Sequence, residues 1–170
     1  VLDVVRDRLG LLVVRREGLL VALVQARGLV HPGARVAEAE GVEVPLVCAS
    51  VVLHCNDQLV RSAIVPGTST PVWRESHRFL VSNARKSLMV TLEHHDPIGG
   101  DTVMGKIAIP LRSLQDSDGT RRDKVDWFHV EAPNEDDEQP EAFRGGVRLG
   151  LRWRSSAAAA AEAQASHEKP

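Results

Sequence analysis

Apolar and polar residues alternate along most of the chain in short segments that are separated by turn residues. Alternation with a period of two is typical of strands that bury one face, and no helical period is sustained after the first dozen residues. The pattern predicts eight strands: Leu19–Ala26, Cys48–Cys55, Leu59–Val65, Trp73–Val81, Leu88–Glu93, Val103–Ile109, Val125–Val130 and Gly146–Trp153. Eight short strands rich in Val, Ile and Leu predict an all-β fold, an antiparallel β-sandwich of two sheets.

Two of these strands indicate clearly which side chains face the core. In the last strand, the inward positions are Val147, Leu149, Leu151 and Trp153, and the outward ones are Arg148, Arg152 and Arg154. In the strand that begins at Trp73, the inward positions are Trp73, Glu75, His77, Phe79 and Val81, and the outward ones are Arg74, Ser76, Arg78 and Leu80. An inward histidine needs a hydrogen-bond partner, so we expect a structural role for His77.

The length and composition of the 170-residue chain are those of one globular domain with a tail. Residues 1–17 are interpreted as an N-terminal extension or the end of a preceding segment, and residues 18–154 as the sandwich. Residues 155–170 form a low-complexity, Ala-rich tail. Because the chain begins with Val1 rather than Met, we expect it to be part of a larger multidomain protein.

The charge is nearly balanced, with a formal net charge of −2 and a pI of about 6.4. This balance excludes an overall basic field for nucleic acid, so an anionic partner has to meet a local patch. The sequence contains no signal peptide and no apolar run of membrane-spanning length, which predicts a cytoplasmic protein with at most peripheral membrane contact. Cys48 and Cys55 fall on opposite faces of one predicted strand and are not expected to pair.

Five segments carry a resemblance when they are taken in order. They read GLLVALVQARGL, TSTPVWRESHRFLV, LMVTLEHHDPIGGDTVMGKIAIPLRSL, DWFHV and GGVRLGLRW. In this order they resemble the C2 domain of synaptotagmins, protein kinase C and many trafficking proteins, over residues 18–154. Two short motifs support the likeness, Pro71-x-Trp73-x-Glu75 and Met104-Gly105, and the strand order from Gly18 to Trp153 is similar to the synaptotagmin-like topology. The resemblance implies an eight-stranded Greek-key sandwich with three loops at one end, which in many members bind calcium and phospholipid.

The calcium ligands that the resemblance implies are mostly missing. In the family pattern Asp-x-Asp-x5-Asp of the third loop, this chain has His94, Asp96 and Thr102, with Asp101 one residue out of register. Cys48 stands where the first loop usually has an aspartate. Calcium takes about six to eight oxygen ligands, so we expect no calcium at this degenerate site. Zinc is an alternative, because the Cys48 thiolate, the His94 imidazole and the Asp96 carboxylate are ligand types that zinc accepts; no other cofactor is predicted.

The sequence does not support a phosphate-binding loop or a catalytic site. The segment Gly100–Lys106 matches the first seven positions of Gly-x4-Gly-Lys-Ser/Thr, but Ile107 stands at the hydroxyl position. The motif also requires a helix after it, whereas this segment lies in a strand pattern. No Ser, Cys or carboxylate lies in a recognisable catalytic frame, so the chain is not expected to be an enzyme.

The remaining candidates are binding surfaces. Arg61, Arg74 and Arg78 are predicted to form a basic patch on neighbouring strands for lipid headgroups. The candidate loop-tip contacts with a membrane or a partner are Val30, Val44, Leu46 and Ile98. These residues predict a calcium-independent module that docks a larger protein to anionic phospholipid membranes or to a protein partner. The alternative is a protein–protein scaffold that binds neither lipid nor metal.

Overall fold

The computed structural model describes residues 4–6, 12–14, 17–29, 35–39, 41–81, 85–118, 120–131 and 145–154. Within these ranges the chain forms twelve strands and one short 3-10 helix, at Leu111–Leu114. The strands are β1 (Val4–Arg6), β2 (Leu12–Val14), β3 (Glu17–Arg27), β4 (Arg35–Ala39), β5 (Val42–Leu46), β6 (Ala49–Cys55), β7 (Gln58–Arg61), β8 (Val72–Val81), β9 (Ser87–Asp96), β10 (Gly100–Pro110), β11 (Lys124–His129) and β12 (Gly146–Arg154).

Eight of these strands form two four-stranded antiparallel sheets. The first sheet has the order β10-β9-β6-β7, and the second has the order β11-β12-β3-β8. The first strand of the sandwich, β3, therefore lies between β8 and the last strand, β12. This arrangement confirms the predicted antiparallel β-sandwich, and each predicted strand corresponds to an observed one.

The core lies between the two sheets and is built from the inward positions of the alternating pattern. Leu19, Leu23 and Leu149 are fully buried, as are Val51 and Leu92 from the opposite sheet. Burying a side chain of this size stabilises a fold by about 1.5–3 kcal/mol each, which makes this interior the main source of stability. The inward positions predicted for β8 and β12 are confirmed, with Trp153 half-buried against the core.

The motif Pro71-x-Trp73-x-Glu75 holds the connection between β7 and β8. The Trp73 indole N–H donates to the Ala63 carbonyl at 3.0 Å, and the Ala63 N–H donates to Glu75 Oε1 at 3.0 Å. The second oxygen of Glu75 lies 3.0 Å from His77 Nε2. His77 is therefore a hydrogen-bonded structural histidine, as predicted, and one carboxylate satisfies two groups of this region.

Two hairpins lie outside the sandwich sheets. β1 and β2 pair only with each other, as do β4 and β5. The β4–β5 hairpin lies in a stretch for which the sequence predicts no strand, and Gly41, directly before β5, has a φ of 77°. Glycine adopts positive φ without steric cost, so the alternation before and after Glu-Gly was a usable hairpin signal. The acidic turn at 134–144 and the tail at 155–170 lie outside the described residues.

Candidate functional site

The stretch Leu92 to Gly105, which contains two histidines, two aspartates and one glutamate, forms the hairpin of β9 and β10. Asp96 pairs with Gly100 in the register, so the turn consists of Pro97, Ile98 and Gly99. Asp96 Oδ1 accepts a hydrogen bond from the Ile98 N–H at 2.9 Å. The Ile98 side chain is 92% exposed. The hairpin thus presents an apolar side chain to solvent on a turn that is held by its own carboxylate.

A cavity of about 380 Å³ lies beside this turn at the loop end of the sandwich. Its lining residues are Leu46, Cys48, Pro66, Gly67, His94, His95, Asp96, Pro97 and Ile98. His94 is buried, and its Nδ1 accepts the Cys48 N–H at 3.1 Å. Because a backbone N–H can only donate, a neutral His94 ring carries its proton on Nε2. The Cys48 carbonyl accepts the His95 N–H at 2.8 Å, so β9 and the segment before β6 are joined at the cavity.

The other charged residues of the hairpin form an ion-pair cluster on the outer face of the first sheet. Asp101 lies 2.5 Å from His95 Nδ1 and 2.8 Å from Arg61 Nη1. The hydrogen bond from His95 is the main cause that lowers the pKa of Asp101, and Arg61 adds to it. Arg61 Nη1 also lies 2.7 Å from Glu93 Oε2, an oxygen that is buried without a hydrogen bond of good geometry, so this contact is an ion pair.

The predicted metal ligands do not come together in a metal-binding geometry. Cys48, His94 and Asp96 line the same cavity, whereas Asp101 points into the ion-pair cluster and Thr102 is exposed opposite His94. Among the described residues, no three His, Cys, Asp or Glu side chains form a group that could hold a metal ion. His94 Nδ1 and Asp96 Oδ1 are each engaged in a hydrogen bond with a backbone N–H of the chain.

The predicted basic patch is divided between two sheets. Arg74 and Arg78 are exposed on β8, as predicted, and the positive φ of 55° at Arg74 marks a bulge in the pairing of β8 with β3. The prediction that Arg61 lies on a strand beside β8 is wrong, because β7 pairs with β6 in the other sheet. The Arg61 side chain extends to Glu93 and Asp101 instead, so its charge is compensated within the fold.

The predicted loop-tip residues lie in different environments in the structure. Ile98 is at the tip of a hairpin, and Leu46 is partly buried at the cavity. Val30 lies outside the described residues. Val44 lies on β5, and its side chain is also outside the described part of the structure. Both cysteines are free; Cys48 is half-buried at the cavity, and Cys55 is buried in the core.

The sequence pattern did not predict a second basic surface. The outer face of the second sheet carries four exposed arginines, two from β8 and two from β12. We call this surface the arginine face, and its residues are Arg74, Arg78, Arg148 and Arg152. Alternation predicted that each of them points outward, but not that β12 and β8 lie on either side of the same strand.

Comparison with known proteins agrees with the fold. Residues 17–130 match the C2 domain family. The chain belongs to this family. C2 domains in general bind lipid, calcium or protein partners. No curated protein matches the chain, and no helix in the described ranges is long and apolar enough to cross a membrane.

Solved structures with the same fold share little sequence with this C2 domain. The calcium-bound pair of C2 domains, A and B, of Extended-Synaptotagmin 2 matches with a TM-score of 0.62 and 21% identity, over 84% of this chain and 47% of that one. The C2 domain A of plant Extended Synaptotagmin 1 matches with a TM-score of 0.59 and 16% identity, over 81% of this chain and 94% of that one. Human GIVD cytosolic phospholipase A2 matches with a TM-score of 0.59 and 16% identity, over 84% of this chain and 17% of that one. This chain thus spans about half of the Extended-Synaptotagmin 2 pair and about one sixth of the phospholipase.

Proposed function

We propose that this C2 domain docks the protein that contains it to anionic phospholipid membranes without calcium. The observation that carries the proposal is the hairpin tip, where Ile98 is 92% exposed beside a cavity that Leu46, Pro66 and Pro97 line with apolar surface. Transfer of an isolated apolar side chain at a loop tip from water to the lipid interface is favourable, because it lowers the free energy of the system. C2 domains generally bind lipid, calcium or protein partners, which supports a docking role for this surface.

The internal bonding of the hairpin supports the absence of a calcium requirement. The Asp96 carboxylate is bonded to the Ile98 N–H, and the Asp101 carboxylate is paired with Arg61 and His95. The turn is therefore ordered by bonds within the chain, and Asp101 presents a compensated charge to an anionic surface. Calcium would have to displace these partners before it could bind.

Electrostatic attraction adds to the apolar contact. Arg74 and Arg78 are exposed on β8, and each cation near an anionic leaflet contributes about 1 kcal/mol. Two such residues and one apolar anchor give weak attachment that salt reduces. We expect reversible, peripheral binding that is strengthened by other segments of the full protein.

The proposal is tested by co-sedimentation with vesicles of phosphatidylserine or phosphoinositide in phosphatidylcholine, with calcium and with a chelator. We expect equal binding in both conditions and a clear loss with Ile98→Asp. Leu59→Asp is the matched control, because Leu59 is 66% exposed on β7 and pairs with His54, away from the hairpin tip. Binding only with calcium would overturn the proposal, and no binding in either condition would favour a protein–protein scaffold.

A further inference from the structure

The arginine face has a floor of small residues between two rows of arginines. In one row, Arg152 and Arg78 are the register partners of Leu20, on its two sides. Two residues further along the strands, Gly150 and Ser76 are the partners of Ala22, and Val125 continues this row on β11. Beyond it, Arg148 pairs with Gln25, and Arg74 lies in the adjoining bulge of β8. The side chains of the middle row are shorter than those on either side, which makes a groove across the strands.

The dimensions of this groove follow from sheet geometry. Arg148 and Arg152 are four residues apart on one strand, as are Arg74 and Arg78, which separates the two rows by about 13 Å. An α-helix with its side chains is about 10–12 Å across, which is close to this backbone spacing, so a helix can lie over the floor with the arginine side chains along its flanks. The floor spans four strands, or about 14 Å, which corresponds to about nine helical residues. The Cβ of an alanine at Gly150 would lie 3.3 Å from the Ala22 Cβ, so the floor is closely packed at its centre.

The groove carries positive charge at its outward strand positions, with the carboxylate of Asp123 at its rim. The outward positions of β3, β8, β11 and β12 carry arginines and His129 but no Asp or Glu. At the rim, Asp123 lies 3.0 Å from Arg152, with both side chains 54% exposed, and this ion pair is therefore open to exchange with another carboxylate. Apolar surface lies beside the cations, since Val125 is 62% and Leu80 is 50% exposed. Arginine binds carboxylates through two parallel hydrogen bonds, which gives such a surface directional preference as well as attraction.

We propose that this groove binds a short acidic helix of a partner protein, which lies across the strands with its apolar stripe on the floor of Gly150, Ala22 and Ser76. Carboxylates on both sides of that stripe pair with the two rows of the arginine face. A flat bilayer contacts the arginine tips but not a floor that lies between them, whereas a helix contacts both. This inference goes beyond membrane docking, because the floor of the groove is a different surface from the Ile98 hairpin, although Arg74 and Arg78 contribute to both proposals.

The test uses fluorescence anisotropy of a labelled peptide of about 20 residues, in which glutamates flank an Ala/Leu stripe on one helical face. Arg78→Glu and Arg148→Glu are each expected to weaken binding by about tenfold or more, because a pairing cation becomes a repelling carboxylate. Arg112→Glu is the matched charge control, since Arg112 is exposed on the 3-10 helix and belongs to no strand of the second sheet. A peptide of the same composition in scrambled order is expected to bind more weakly. Equal binding of both peptides, or an equal loss with Arg112→Glu, would overturn the proposal.

A second pair of variants separates the groove from general surface charge. Ser76→Phe fills the exposed floor without changing the charge, and we expect it to abolish peptide binding and leave vesicle binding unchanged. His54→Phe is the matched control, on the exposed face of β6 in the other sheet. If Ser76→Phe does not fold by circular dichroism, Ser76→Gln serves the same purpose, because it fills the floor with an uncharged side chain.

Peptide and vesicle binding together distinguish the groove from the Ile98 hairpin. Peptide binding that survives Ser76→Phe would show attraction by charge alone and would contradict the groove. Loss of vesicle binding together with peptide binding in Ser76→Phe, which keeps every arginine, would identify the face as a lipid site and overturn the inference. Ile98→Asp is expected to retain peptide binding, so failure of membrane docking would leave the peptide result intact.

Discussion

The guanidinium of Arg61 lies 2.8 Å from the Asp101 carboxylate, although the two residues belong to the opposite edge strands of the first sheet. The same guanidinium lies 2.7 Å from Glu93. One cation therefore compensates two carboxylates on this face, whereas the strands of the second sheet carry arginines but no carboxylate at their outward positions. The two faces of the sandwich consequently have different partners available to them, and the charge of single residues does not reveal this difference.

Arg61→Ala is expected to lower the free energy of unfolding without weakening vesicle binding. The substitution leaves the Glu93 carboxylate, which is mostly buried, without its ion pair. Urea unfolding and vesicle co-sedimentation measure the two effects separately. Arg74→Ala is the matched variant. It should weaken vesicle binding and leave the free energy of unfolding almost unchanged, because Arg74 is exposed in a bulge. Equal loss of vesicle binding for both variants would place Arg61 back in the lipid surface.

The stability of the domain is expected to fall in acid partly through Asp101. The pKa of this carboxyl is lowered from 3.8, first by the hydrogen bond from His95 and then by Arg61. A carboxyl with a lowered pKa in the folded state contributes stability that is present above its ordinary pKa and is lost as the pH falls through the lowered value. Asp101→Asn should therefore be less stable than the wild type at neutral pH, and the difference should disappear in acid. Thermal unfolding across this pH range measures it, and a difference that does not change with pH would contradict the assignment.

The two cysteines are expected to differ in reactivity. Burial raises the pKa of the Cys55 thiol to about 11, which leaves it protonated at neutral pH, and its side chain lies in the core. Cys48 is half-buried at the cavity. Iodoacetamide should modify the folded protein once, at Cys48, and Cys48→Ser should remove that modification. Mass spectrometry measures the stoichiometry, and denatured protein, in which both thiols react, is the control. Labelling of Cys55 in the folded state at a similar rate would contradict the burial.

Gly105→Ala is expected to destabilise the domain by about 1–3 kcal/mol, the usual cost of overpacking. A Cβ at this position would overlap the Val130 side chain and lie 2.6 Å from the Glu131 carbonyl. Because glycine has no side chain, the 130–131 segment lies close enough to β10 for Lys106 and Glu131 to exchange two backbone hydrogen bonds of 2.9 Å. Thr102→Ala, at an exposed position of the same strand, is the control and should change the unfolding midpoint little. An unchanged midpoint for Gly105→Ala would show that the 130–131 segment moves aside at no cost.

Much of the strand content was predictable because alternation is a local property. The inward and outward residues of β12 and β8 follow from a period of two within a single segment, whatever pairs with it. The lack of matched carboxylates in the third loop was also visible in the sequence, since it depends only on the spacing of His94, Asp96 and Thr102. The β4–β5 hairpin was missed, although Glu-Gly between alternating residues was a local signal for it.

The neighbours of each strand were decided by the tertiary structure alone. β3 and β12 are paired, although more than a hundred residues separate them in the chain, and no local pattern specifies such a pairing. This pairing places Arg152 and Arg78 on either side of Leu20, and the separation of β7 from β8 directs Arg61 toward Glu93 and Asp101. Local alternation specifies which side chains leave the core. Which of these side chains meet depends on the strand order, because pairing brings together residues that are distant in the chain.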